Sequence, residues 1–247
     1  MLFLGFSAGL PLLLVFSTLT AWLHDYEVSR SAIGFFAWIG ITYSVKVFWA
    51  PIVDRLPLPF LQAWLGKRRS WMFLGQMGIV SALAAMALIG PQDNLAVFAF
   101  LAVVVAFSSA TQDIAIDAYR IEAAIPEHQG AMASNYILGY RLAMLVAGAG
   151  TFYIAAKTDW PTAYLAMSAL MLVGTATVLI IAEPEPTDEA QALALELEQQ
   201  ASPDGSPGTF ARLRHWLADA VVGPFSEFLR RQGGFAVIIL LLSQLNS

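Results

Sequence analysis

LAVFAFLAVVVAFSSATQDIAIDAYR, residues 95–120, starts as an apolar run and ends with Gln112, Asp113, Asp117 and Arg120. The run is long enough for lipid, because about 20 apolar residues cross a bilayer core of roughly 30 Å. A charge near the centre of such a helix costs roughly 2.5–3.5 kcal/mol on insertion scales. Lys46 and Arg141 interrupt two other apolar runs in the same way. Charges of this kind persist where they face a polar cavity or pair with one another. The chain therefore reads as an all-α membrane protein with a polar route through it.

Composition agrees. Apolar residues make up 58% of the chain and charged residues 13%, against about 45–50% and 25% in soluble domains. With no cysteine, a disulfide framework, a thiol nucleophile and a thiolate metal site are excluded. The net charge of −5 comes largely from acidic residues after Ala182, so no nucleic-acid partner is expected.

Six apolar runs qualify as spans: Leu2–Leu23, Ser31–Val53, Ser70–Ile89, Leu95–Ala118, Ala131–Ala156 and Trp160–Ala182. Residues 1–182 are thus expected to form a six-helix N-terminal bundle. No basic segment precedes the first run, which suggests an N-terminal truncation. Residues 183–209, rich in Glu, Gln, Pro and Ala, read as a flexible cytoplasmic linker. In 210–232, Phe210, Leu213, Leu217, Val221, Phe225 and Phe228 recur at helical spacing, which predicts an amphipathic interfacial helix. Residues 233–247 read as the start of a truncated seventh span.

Lys and Arg accumulate in cytoplasmic loops. The second loop holds Arg55, Lys67, Arg68 and Arg69, the fourth Arg120, the sixth Arg212, Arg214, Arg230 and Arg231. Even loops and the N-terminus are therefore expected inside. Trp22, Trp71 and Trp160 near span ends read as interfacial anchors. Six spans, a long linker and a seventh span match one half of a two-bundle transporter.

Asp113 and Asp117 are four residues apart and share a helix face, with Ser109 one turn earlier. A carboxylate at that depth is a candidate for proton exchange. Asp117 with Arg120 can equally form an interfacial pair that closes the helix end. Lys46 lies about 10 Å inside its span and Arg141 about 15 Å along its own, at 1.5 Å per residue. Tyr43 and Thr42 give Lys46 polar company. Arg141 cannot escape by deprotonation, so it needs an anionic ligand or a carboxylate such as Asp113. Gly5 and Gly9 form one small-residue stripe and Gly139, Ala143 and Ala147 another, which permits close helix approach. The basic run at Lys67–Arg69 marks topology; Asp54 calls for another explanation, such as a latch.

These residues resemble a known family. Asp54-Arg55 followed by Gly66-Lys67-Arg68-Arg69 is similar to the loop between spans two and three of major facilitator superfamily transporters, with extra residues inserted. Leu4-Gly5-Phe6-Ser7-Ala8-Gly9-Leu10-Pro11, Lys46-Val47-Phe48-Trp49-Ala50-Pro51-Ile52-Val53-Asp54-Arg55, the stretch from Ser109 to Tyr119, and Leu138-Gly139-Tyr140-Arg141-Leu142-Ala143-Met144 together resemble the AmpG muropeptide permease family. The likeness runs through Val221-Val222-Gly223-Pro224-Phe225. Acetyl-CoA transporters form a related branch.

The resemblance implies the N-terminal half of a secondary active transporter in the bacterial inner membrane, without cofactor or metal and lacking here its C-terminal six-helix half. Its cargo is expected to be anhydro-muropeptides, GlcNAc-anhydroMurNAc with or without peptide, imported with protons for peptidoglycan recycling and, in some bacteria, β-lactamase induction. Lys46 and Arg141 are expected to attract cargo carboxylates; Gln112, Tyr43, Tyr140 and Thr42 to supply hydrogen bonds; Trp49 to face a sugar ring. Asp113, then Asp117, are the proton-coupling candidates. Asp54, Arg55 and Arg120 are the candidate conformational gate. Transport of acetyl-CoA or another anionic solute, or a non-transporting scaffold surrounded by lipid, are the alternatives. A membrane-embedded enzyme fits poorly, since His24, His128 and His215 all fall at span ends or in loops.

Overall fold

The computed structural model describes residues 1–58, 60–123 and 126–184, and every regular element in them is helical. Lipid imposes that solution, because backbone N–H and C=O groups there must be satisfied within the segment. Six stretches are long and apolar enough to cross a membrane: Leu2–Asp25, Arg30–Phe48, Lys67–Asp93, Leu95–Glu122, Glu127–Lys157 and Trp160–Ile180. They overlap the six predicted runs, the second ending at Phe48, short of the expected Val53. The predicted linker at 185–209, amphipathic helix at 210–232 and seventh span at 233–247 lie outside the described residues.

Span one is α1 (Leu2–Val15) and α2 (Ser17–Asp25), interrupted at Phe16 with φ −115° and ψ −98°. Span two is assembled from α3 (Arg30–Phe36), a 3₁₀ turn at Ala37–Ile39, α4 (Gly40–Ser44) and a second 3₁₀ turn at Val45–Phe48. Two short helices, α5 (Ala50–Arg55) and α6 (Leu61–Leu65), precede span three, α7 (Lys67–Asp93). Gly90, at φ 66° just before Pro91, kinks the end of α7. Span four is α8 (Leu95–Glu122), started by Asn94, whose Oδ1 accepts the Val97 N–H at 3.1 Å. Span five runs through α9 (Pro126–Leu145), a π-helical segment at Val146–Gly150 and α10 (Thr151–Lys157). Span six is α11 (Trp160–Ile180), capped by Asp159.

Met1–Lys46 and the described part of Pro57–Glu185 form one compact unit; Val47–Leu56 belongs to a second. Within the first, α7 packs between α8 and α11, and α1 packs along α9. The two small-residue stripes make the second contact. Gly5 and Gly9 press on the backbones of Tyr136 and Tyr140, and Gly139 presses on the backbone of Leu2 and Phe6. A Cβ at any of these glycines would strike a carbonyl oxygen.

The two ends of this unit are held differently. At one, Trp22 is 0% exposed and packs against Trp160, Tyr164 and Phe98, with ring centroids 6.2, 4.4 and 5.0 Å away. Trp160 Nε1 donates to Asp25 Oδ2 at 2.8 Å. Trp22 is thus a core residue instead of the expected interfacial anchor. At the other end, Glu183 accepts the backbone N–H groups of Arg68 and Arg69 at 2.6 and 3.1 Å. A carboxylate suits that place, since the start of α7 carries open N–H donors and partial positive charge. Arg69 in turn donates to the carbonyls of Val178 and Leu179 at the end of α11, at 2.7 and 2.9 Å. Tyr119 Oη donates to Ala182 O at 3.0 Å.

Candidate functional site

Helical spacing puts Ser109, Asp113 and Asp117 on one face of α8. Around that face the structure gathers residues from spans two and five. Lys46 lies close enough to attract Asp113 electrostatically, while Asp117 repels it. Tyr43 neighbours Ser109 and also senses Asp113 and Tyr140. The Tyr43 hydroxyl and Ser109 Oγ are buried beside each other, and Asp113 Oδ1 is buried without a hydrogen-bond partner. A buried carboxylate oxygen without a partner is costly in an apolar setting.

Span five contributes from the other side. Tyr140 senses both Asp113 and Arg141. Arg141 itself is exposed, with Nη1 3.9 Å from Met144 Sδ. Among the described residues no ion pair joins Asp113 to Arg141. Arg141 is left as a membrane-depth cation next to Tyr140.

Below Asp113 on α8, Arg120 pairs with Asp117 at 3.2 Å and stands 5.9 Å from the centre of the Tyr136 ring. Tyr136 also senses Asp113 and Tyr140. The expected interfacial pair of Asp117 and Arg120 is therefore present, and it continues into the same polar group.

Other expected residues stand elsewhere. Gln112 is 0% exposed and turns into the helix packing, where Nε2 donates to Ser7 O at 3.1 Å. Thr42 lines a recess of about 190 Å³ with Phe35, Trp38 and Val103. Trp49, Asp54 and Arg55 fall in Val47–Leu56, where Trp49 is the N-terminal cap position of α5 and its carbonyl accepts from Ile52 N–H at 2.9 Å.

Two residues of the group, Ser109 and Tyr136, were outside the predicted site. Each carries a signal in the sequence: Ser109 is one helical turn from Asp113, and Tyr136 one turn from Tyr140.

The sequence model of the Major Facilitator Superfamily matches residues 1–246. The chain is 36% identical over 243 residues to the "Anhydromuropeptide permease" of Escherichia coli, covering 98% of this chain and 44% of that protein. It is 34% identical over 240 residues to "Putative transporter AmpG 4" of Rickettsia conorii, covering 96% of this chain and 53% of that protein. The chain thus spans about half the length of these relatives.

Proposed function

The chain belongs to the major facilitator superfamily, and from that premise we propose that it forms one six-helix half of a proton-driven importer of anhydro-muropeptides. The relatives' names support the cargo class. The single observation that carries the reading is the convergence of Lys46, Tyr43, Asp113 and Tyr140 at membrane depth, with Arg141 beside Tyr140.

The chemistry fits a carboxylate-bearing glycopeptide. Arg141 and Lys46 attract its carboxylates, and Tyr43 and Tyr140 offer hydroxyls to its sugars. Asp113 carries the coupled proton, with Asp117 as its second candidate. When Asp113 is ionised it attracts Lys46; when protonated it no longer competes with an anionic cargo for that cation. That competition ties proton uptake to cargo binding. Asp54, Arg55 and Arg120 bias the inward against the outward state. Even loops and the N-terminus face the cytoplasm of a bacterial inner membrane, and alternation occurs against a second six-helix half.

The test is uptake by the full-length protein in proteoliposomes. Labelled GlcNAc-anhydroMurNAc tripeptide should accumulate under an inward proton gradient, and unlabelled muropeptide should compete better than acetyl-CoA. Stronger competition by acetyl-CoA would shift the cargo to the related branch. No uptake of any wall fragment by folded protein sinks the proposal.

A further inference from the structure

Span one contains two backbone carbonyls that its own helix does not serve. Proline has no N–H, so the carbonyl four residues before it loses its donor. Pro11 sits inside α1, and the carbonyl it leaves open is that of Ser7. The second opening comes at Phe16, where α1 stops and Leu14 stands in its final turn. At membrane depth, neighbouring helices must satisfy such groups.

Two side chains do so. Gln112 Nε2, from span four, donates to Ser7 O at 3.1 Å. Tyr164 Oη, from span six, donates to Leu14 O at 2.7 Å. Both residues are 0% exposed. Gln76 reaches only the Ser7 hydroxyl, at 3.4 Å, and that hydroxyl donates to Leu4 O at 2.9 Å. The carbonyl of Ser7 therefore depends on Gln112.

Each anchor has a site residue next to it. Asp113 follows Gln112 directly, about 100° further round α8 at 3.6 residues per turn. Pinning Gln112 to span one sets the rotation of α8 that turns Asp113 toward Lys46, Tyr43, Tyr136 and Tyr140. Tyr164 secures the end of α1, and the Phe16 ring that follows lies 6.0 Å from the Tyr43 ring and against Gly40.

We propose that Gln112 and Tyr164 are positioning residues: by taking the carbonyls left open by Pro11 and the Phe16 break, they fix where Asp113 and Tyr43 stand. The inference rests on Asp113 and Tyr43 belonging to the transport site.

The test is a rescue experiment in the full-length protein. Gln112→Met keeps the side-chain length and removes the amide. Pro11→Ala restores the N–H that serves Ser7 O. Two quantities are read: the initial uptake rate, and the rate at which dicyclohexylcarbodiimide modifies Asp113, located by mass spectrometry. Gln112→Met alone should lower uptake several-fold and shift the Asp113 modification rate several-fold. Measured against Pro11→Ala alone, adding Gln112→Met should change both far less. Tyr164→Phe should lower uptake without rescue by Pro11→Ala.

Equal damage from Gln112→Met in both backgrounds overturns the inference, as do native values for Gln112→Met in both readouts. Should Gln112→Met not fold, recovery of the Pro11→Ala/Gln112→Met protein supports the inference and its failure to fold overturns it. If the native protein takes up no muropeptide while the modification rates follow the expected pattern, the transport reading fails and the positioning of Asp113 stands.

Discussion

Arg68 grips Glu122 with two nitrogens: Nε lies 3.1 and 3.0 Å from the two carboxylate oxygens, and Nη2 lies 2.5 Å from Oε1. The pair joins the start of α7 to the end of α8, with side chains only 11% and 26% exposed. A fork-to-fork contact of this kind adds geometry as well as charge. Removing either side chain breaks a charge-assisted contact in a poorly hydrated place. Arg68→Ala and Glu122→Ala should each lower stability by about 1.5–3 kcal/mol, the range for hydrogen bonds to charged groups. Thermal midpoints in detergent measure this, and midpoints equal to the native protein's would contradict it.

The contact of α1 with α9 makes a contrasting pair of predictions. Gly139→Ala would drive a Cβ into the Leu2 carbonyl and the Phe6 nitrogen, and overpacking of a tight contact costs about 1–3 kcal/mol. Gly34→Ala meets nothing within 4 Å. There the helix should gain about 0.5–1 kcal/mol, the usual benefit of Ala over Gly. Thermal midpoints moving in opposite directions would bear this out; a fall for both would not.

Transport assays separate the two charged residues of the site. Asp113→Asn should abolish gradient-driven accumulation while sparing cargo exchange at equal pH. Arg141→Ala should weaken uptake of carboxylate-bearing cargo more than uptake of neutral disaccharide. Because Arg141 is exposed, its stability cost should stay within about 0.5 kcal/mol. Equal loss for both cargoes would assign Arg141 a packing role.

Asp159 supplies a pH signature outside the spans. Its Oδ1 accepts the Thr162 N–H at 2.7 Å, and bonds to the Thr162 backbone and side chain hold its carboxyl below the ordinary range. A lowered folded-state pKa contributes stability above the unfolded value of about 3.9, and that contribution disappears as pH falls through the folded value. Asp159→Ala should therefore melt below the native protein at neutral pH. The gap should close only under acid conditions, and a gap unchanged down to the lowest accessible pH would refute the assignment.

Much of this is legible in the sequence, for physical reasons that differ by residue. The six spans follow from apolar length, because lipid tolerates little else. Asp113 and Ser109 share a face by helical spacing alone, and the glycine stripes announce a close contact. The spacing does not say which helix meets which. Gln112 looks like a cargo ligand because it adjoins Asp113, yet a step of one residue turns it to the opposite task. Lys67–Arg69 reads as a topology marker, and Arg68 and Arg69 in fact close helix ends with Glu122 and the carbonyls of α11. Trp22 reads as an anchor since it stands near a span end. Its burial depends on Trp160, Tyr164 and Phe98, which are distant in the chain.

The ring planes of Trp22 and Trp160 differ by 8° at 6.2 Å. Aromatic rings held in fixed tertiary packing give near-ultraviolet circular dichroism, so the docked ends of the first and sixth spans carry their own optical marker. Near-ultraviolet circular dichroism can therefore follow the separation of those ends in unlabelled protein, and Trp22→Phe marks which bands belong to the pair.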